Sequence, residues 1–398
     1  VKREILVFAA ASAVLFFGSA TTFASMGTAL FAMASEFHWS EAASGGAFLA
    51  LGLICAATSL SPIVLIPRIG GRWTMASGAL ILAAGFLIAA ATRDLPTFYV
   101  AAGLFGLAFS LVANATGTYL IASWFGDRSP RMIGLYLMIG ALGNAAGPPV
   151  AQSLIASDGG WRLYWMAMAV AAVLVAGICA ALIREPPTAG PAMTGQEGAS
   201  AHTAWAFRAF LRTPQFCVAA FAMVATQTCI ITVSAVTAPH FAQRGWSADF
   251  AADILGLEGL IGTAMTGLSG WLTERRDPKG MLVAGLAAQA AGMIALAFAH
   301  SIWMTYAFAL VFGIGWSTSS LAVTVLLIRY FGAAAGTAAL STIWLVAGVA
   351  TGGPYIAGVS ADAAGSFTPA LAVLGIALLP IAFAAIVTNP VRRVAPAG

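Results

Sequence analysis

The feature that most constrains this chain is the spacing of its charges. Lys, Arg, Asp and Glu make up only 8% of the 398 residues, against roughly a quarter in an ordinary soluble domain. Cutting the sequence at those charges leaves twelve apolar runs. A helix needs about twenty mostly apolar residues to cross the hydrocarbon core, and in hydrocarbon every backbone N–H and C=O must be paired within its own segment, so runs of this length predict helices. They fall near 5–33, 45–66, 73–92, 97–121, 131–156, 163–183, 214–239, 250–272, 280–299, 302–327, 336–358 and 367–388. The expected fold class is an all-α membrane protein of twelve transmembrane helices. The opening KRE leads into an apolar stretch too long for a secretory h-region of about 7–15 residues, which reads as a first span.

The bases orient the bundle. Placing both termini in the cytoplasm leaves only Arg93, Arg162 and Arg244 of the eighteen Lys and Arg outside, the asymmetry that short cytoplasmic loops show. An odd number of spans would scramble it. The expected setting is a multi-pass protein of a bacterial inner membrane. The longest hydrophilic stretch, 184–213, starts rich in Pro, Gly and Ser and ends in a short amphipathic segment from Trp205 to Leu211. It reads as a cytoplasmic linker along the membrane, dividing the chain into an N-terminal six-helix half, 1–183, and a C-terminal six-helix half, 214–398.

The halves share a register near 206 residues. Trp124-Phe125-Gly126 falls on Tyr330-Phe331-Gly332, Gly147-Pro148 on Gly353-Pro354 and Met75 on Met281, while Trp39-Ser40 falls on Trp246-Ser247 one residue further along. Matches at equivalent places in a six-span unit indicate duplication. Two six-span halves of like orientation form a parallel repeat, with a substrate path between them near the midplane.

Pro67-Arg68-Ile69-Gly70-Gly71-Arg72, after the second run, resembles the signature loop of the major facilitator superfamily, with Pro67 standing where an Asp is usual. The resemblance covers the whole chain and implies that superfamily's fold. The stretch from Trp124 to Arg162 is most similar to the monocarboxylate transporter and oxalate/formate antiporter branch: a WFG start, a basic loop, Gly143-Asn144-Ala145-Ala146-Gly147-Pro148 and a closing Gly160-Trp161-Arg162. Trp39-Ser40 fits the same branch. Members of it usually carry an Arg in the eighth span, four residues before a Gly. Counting back from Gly267 gives Thr263, and no Lys or Arg lies inside any predicted span.

Glu258 is the one charge well inside a predicted span. Ionisable groups there are costly and usually face a cavity or a partner, so Glu258 is the candidate proton-coupling residue. The alternative is a neutral acid hydrogen-bonded between helices. Asp253, about a turn nearer the outside, reads as a solvated helix start. Thr22, Asn114, Asn144, Gln227 and Thr318 are candidate substrate-binding residues, and Trp316, Trp344 and Tyr355 supply rings that could stack on a solute. For each, interhelical packing is the competing reading.

Other chemistries lack their residues. There is no basic stripe for nucleic acid, no P-loop for ATP and no GxSxG nucleophile elbow. Cys55, Cys179, Cys217 and Cys229 sit singly in apolar runs, and the four histidines stand apart from Cys, Asp or Glu at ligand spacing, so no metal and no cofactor are expected. An intramembrane enzyme would need several titratable groups at one depth, where only Glu258 is available. A non-transporting membrane receptor would need a signalling domain, for which a linker of about thirty residues leaves no room. The expected function is secondary active transport of a small, monocarboxylate-like organic solute by alternating access, coupled to protons. A cationic or neutral amphipathic cargo is the alternative. The expected partners are that solute, the proton and the bilayer, and the chain is expected to be a monomer.

Overall fold

The computed structural model describes residues 2–185, 213–331, 339–340, 342–344 and 346–388, with only the backbone of Lys2, Asn114, Asp127, Pro130 and Glu274. Among these every regular element is a helix. The first span runs through α1 (Lys2–Ser19), a π-helical turn at Ala20–Ala24 and α2 (Ser25–Phe37). It is followed by α3 (Glu41–Thr58), α4 (Ser61–Ala91), α5 (Leu95–Val112), α6 (Asn114–Phe125), α7 (Ser129–Ile155) and α8 (Gly160–Leu182). The second half comprises α9 (Pro214–Ala242), α10 (Ala248–Arg275), α11 (Pro278–Ala297), α12 (Ile302–Phe331), α13 (Gly353–Ala364) and α14 (Thr368–Val387). Below, the end of the bundle where α1 begins and α14 stops is the termini end, and the other is the far end.

Among the described residues, eleven helical stretches are long and apolar enough to cross a membrane. The twelfth, α10, is 28 residues long, is less apolar and packs between α7 and α12. Large apolar side chains such as Leu87, Val100, Val170, Phe221 and Phe383 are exposed on the bundle surface, where they face lipid and need no cover. Each half has its own core. In the first, the fully buried Trp165 stacks on Phe86 and Phe105, with ring centroids 5.6 and 5.5 Å away. In the second, Phe308 and Phe312 pack with Leu286 and Met293. There the amide of buried Gln289 exchanges two hydrogen bonds with Thr226, at 3.1 and 3.2 Å, so it is fully occupied in packing.

The two halves use the same local devices at repeated positions. Ser40 caps α3 by accepting from Ala43 N–H, and Ser247 caps α10 by accepting from Phe250 N–H. These are N-cap contacts that satisfy otherwise orphaned donors. Phe125 ends α6 and Phe331 ends α12. The linker, 184–213, is described only at Arg184, Glu185 and Thr213, and its amphipathic segment lies outside the described residues.

Several boundaries differ from those predicted. The first span extends to Phe37 rather than residue 33, and the eleventh to Ala364 rather than 358. The signature segment, expected as a loop over 67–72, is helical on both sides of one kink at Gly70, whose φ of 82° suits a residue without a side chain. Beyond it, Glu185 accepts from the N–H groups of Gly71 at 2.5 Å and Arg72 at 3.3 Å, capping the helix of the third span. Nearby, the Trp124 indole donates to Arg184 O at 2.8 Å.

The predicted fourth span, 97–121, is broken in two at Ala113, whose φ/ψ of −81°/−136° is not helical. The polar groups at the break find local partners. Tyr136, fully buried, donates to Ala113 O at 3.2 Å, and Thr116 donates to Leu111 O at 2.6 Å. Irregular backbone at membrane depth is tolerated where such partners exist.

At the far end of the second half, Arg244 gathers two helix ends. Its guanidinium donates to Ala297 O at 2.7 Å, His240 O at 3.3 Å, Thr368 Oγ1 at 2.9 Å and His240 Nδ1 at 2.9 Å. A guanidinium has no acceptor, so His240 Nδ1 accepts and Nε2 carries the hydrogen donated to Leu296 O at 2.9 Å. Both side chains thus serve carbonyls left open where α9 and α11 stop.

Candidate substrate pathway

Among the described residues, the two halves meet chiefly along three helix pairs. On α3 and α13, a Cβ at Gly45 would collide with Pro354 O, one at Gly52 with the Thr351 side chain just before α13, and one at Gly358 with Glu41 O. Gly27 of α2 stands equally close to Ser234 of α9. On α7 and α10, Gly256 and Gly259 lie against Ala145 and Pro149. Polar contacts join the same seam: Asp362 of α13 accepts from the N–H groups of Glu41 and Ala42, both at 3.0 Å, and Gln152 donates to Asp249 at 3.0 Å.

These contacts occupy the far end. Gly134 on α7 and Gly267 on α10 lie about three turns toward the termini end, on the faces that carry Ala145 and Gly256. A Cβ built at either meets nothing within 4 Å. Among the described residues, the α7–α10 seam is therefore packed at the far end and left unfilled at Gly134 and Gly267, where a cleft between the halves would open toward the termini end.

Glu258 sits on α10 beside that seam. It is the residue before Gly259, and its partly buried carboxylate accepts the Trp316 indole N–H at 2.5 Å through Oε1. The two helices come close enough for this because small residues line their contact: a Cβ at Gly262 would strike the Trp316 ring, and one at Gly313 would lie 2.9 Å from Glu258 O. Glu258 and Trp316 are thus brought together. Asn144 adjoins Ala145 on the opposite wall. Asn144 and Gln227 are both partly exposed and make no side-chain hydrogen bond among the described residues, so their amides are available.

The other predicted site residues lie in different surroundings. Thr22 is fully buried in the π-helical turn and donates to Gly18 O at 2.6 Å. Thr318 shares a 3.2 Å hydrogen bond with Ser269. Asn114 opens α6 directly after the break, and its side chain lies outside the described residues. Trp344 is exposed, and Tyr355 lies half exposed near Tyr99 along the α3–α13 seam. Asp253 is exposed on the first turns of α10. The cross-half role of Asp362 has no counterpart in the sequence reading, because a lone acid near a span end carries no sign of its partner. The interruptions of the first and fourth spans were equally hidden, since hydropathy does not register a π turn or a broken turn.

A sequence profile of the Major Facilitator Superfamily matches residues 11–352. The chain belongs to the major facilitator superfamily. Solved structures agree in fold. A bacterial homolog of the human lysosomal transporter Spinster, in an inward-facing and occupied conformation, superposes with a TM-score of 0.78 at 14% identity, over 97% of this chain and 96% of that one. The nucleoside transporter NupG gives 0.77 at 13% identity over 96% and 98%. A D-xylose-proton symporter gives 0.76 at 15% identity over 98% of both. This superfamily member is accordingly a multi-pass membrane transporter of small molecules and not an enzyme. The two neighbours whose names state a cargo, a nucleoside and D-xylose, differ in it, and at these identities the likeness speaks for the fold alone.

Proposed function

We propose that this protein is a proton-coupled secondary transporter of a small organic solute, and that Glu258 carries the proton. The observation behind this reading is the Glu258–Trp316 pair beside the inter-half seam. The indole occupies Oε1, which leaves Oε2 for a proton or a substrate group. Rocking of the halves about the midplane would present that oxygen to each side in turn, and a carboxyl that gains its proton on one side and loses it on the other couples solute movement to the gradient. Asn144 and Gln227, with free amides, are the proposed hydrogen-bonding contacts for the solute, and Trp316 its stacking ring. Thr22, Asn114, Thr318, Trp344 and Tyr355 complete the proposed set.

No Lys or Arg lies in the interior of a predicted span, so two carboxylates on one solute would be desolvated without a cationic partner, which is costly. The cargo class favoured is a monocarboxylate carried as the neutral acid, in keeping with the branch resemblance. The second reading, a cationic solute, rests on the same free Oε2. Glu258→Gln separates them. In proteoliposomes with an imposed pH gradient the variant should lose accumulation, while counterflow of solute persists, because an amide mimics the protonated acid without releasing a proton. Loss of both binding and accumulation would favour the cationic cargo. Accumulation at the wild-type rate and pH dependence would refute both.

The proposed orientation places the termini end in the cytoplasm of a bacterial inner membrane, in a monomer divided at 184–213. Cysteines introduced in that segment should be protected from impermeant thiol reagents in intact cells, and cysteines beside Asp94 or Asp158 should react, once the native cysteines are removed. The reverse pattern would overturn the orientation.

A further inference from the structure

A separate cavity of about 270 Å³ lies between the halves at the far end. Among the described residues that line it, none belongs to α10 or α12, so it is distinct from the Glu258–Trp316 pair. Phe31, Trp39 and Phe48 of the first half and Phe367 of the second give it aromatic walls, and Glu41 and Ser44 of α3 place polar groups on it. Small-molecule sites are commonly concave and mostly apolar, with a few such polar groups. Ser44 is 9% exposed, and its hydroxyl oxygen is closed off from the cavity and has no hydrogen-bond partner, although buried hydroxyls are nearly always bonded. Glu41 makes no side-chain hydrogen bond or ion pair among the described residues.

The charge around the cavity is one-sided. The Asp362 carboxylate adjoins Glu41 through its bonds to the α3 N-terminus. No Lys or Arg is among the described lining residues, and the only other titratable one is His38. Two far-end arginines are committed elsewhere, Arg162 to Glu36 at 2.9 Å and Arg244 to the carbonyls that end α9 and α11.

We propose that this cavity binds a small organic ammonium ion with an aromatic body. The ammonium lies against Glu41, a turn of the Ser44 side chain brings its unpaired hydroxyl round to accept from the ammonium, and the body packs among the rings, which also attract the cation through their faces. Both halves contribute walls, so the cavity exists only while the far end is closed. An occupant binds that state alone and holds the transporter in it.

The test uses 2-phenylethylamine, with 3-phenylpropionate as the anionic counterpart of similar shape, on the purified full chain by isothermal titration calorimetry. Saturable binding of the amine is expected, weakened at least tenfold by Glu41→Gln and several-fold by Ser44→Ala, unchanged by Glu258→Gln, and absent for the carboxylate. On a background without native cysteines, the amine should slow thiol labelling of Ser35→Cys, at the rim, at least fivefold. Should Glu41→Gln fail to fold, Ser44→Ala and the labelling assay still decide. No saturable amine binding, equal binding of the carboxylate, or unslowed labelling would overturn the proposal. So would binding that survives Glu41→Gln and disappears in Glu258→Gln, a result that would place the amine in the central cleft and leave the transport reading standing.

Discussion

Along one pair of helices the two ends of the molecule can be compared directly. At the far end of the α7–α10 seam, Gly256 and Gly259 press on Ala145 and Pro149, while at the termini end Gly134 and Gly267 face open space. Small residues are present at both places, so smallness permits close approach but does not decide which end closes. What distinguishes the far end is polar: Gln152 bonded to Asp249 on this seam, and Asp362 capping α3 on the neighbouring α3–α13 seam. The unfilled faces at Gly134 and Gly267 are suited to the contact that would form when the halves rock the other way.

The largest effect is expected where backbone opposes backbone. Gly45→Val drives a branched side chain into Pro354 O, which cannot move aside as a side chain could. Overpacking of this kind costs about 1–3 kcal/mol, a shift of roughly fivefold to a hundredfold away from far-end closure. Disulfide trapping between Ala42→Cys and Ala361→Cys should fall accordingly. The matching change at the open end, Gly134→Val, should not lower that trapping and should slow transport instead. Equal loss of trapping in both would erase the distinction between the ends.

Removing the cap is expected to do less. Asp362→Ala leaves two N–H groups of α3 to water, and loss of an N-cap costs about 1 kcal/mol, so trapping should fall roughly fivefold. Gln152→Ala removes one exposed hydrogen bond, worth about 0.5 kcal/mol, for a change near twofold. The smallest effect belongs to the Glu36–Arg162 pair, which joins α2 to α8 within the first half. Exposed ion pairs contribute about 0–1 kcal/mol, and this one does not cross the seam. Arg162→Ala should lower the melting temperature slightly while trapping stays within twofold. A large change in trapping would mean that the first half does not rock as a unit.

Much of this architecture was legible in the sequence because the bilayer imposes one dominant rule, and charges then mark where helices stop. Ser40 and Ser247, a repeat visible at one offset, turn out to cap equivalent helices. The signature segment misled because Arg68 and Arg72 cut the apolar run there, whereas helix continues to Gly70 and only that residue turns. Glu258 stood out because a lone charge in an apolar run is expensive wherever it points. Its indole partner depends on how closely α10 and α12 approach, a tertiary fact set by Gly262 and Gly313 and invisible in either helix alone. Thr22 shows the converse: a hydroxyl in an apolar run gives no sign in the sequence that its proton is already donated within its own π-helical turn.

The cap that Glu185 places on the helix after Gly70 bears on how the polypeptide could be assembled. Both partners of that contact belong to the first half, so the bond can close before any of α9 to α14 has been synthesised. A chain ending shortly after Glu185 would keep it, and one ending at Ile183 would leave the third span's helix with open donors. The first half is then best produced as a separate polypeptide by stopping beyond Glu185, and co-expression with a second chain beginning near Thr213 would show whether transport needs a peptide bond between them.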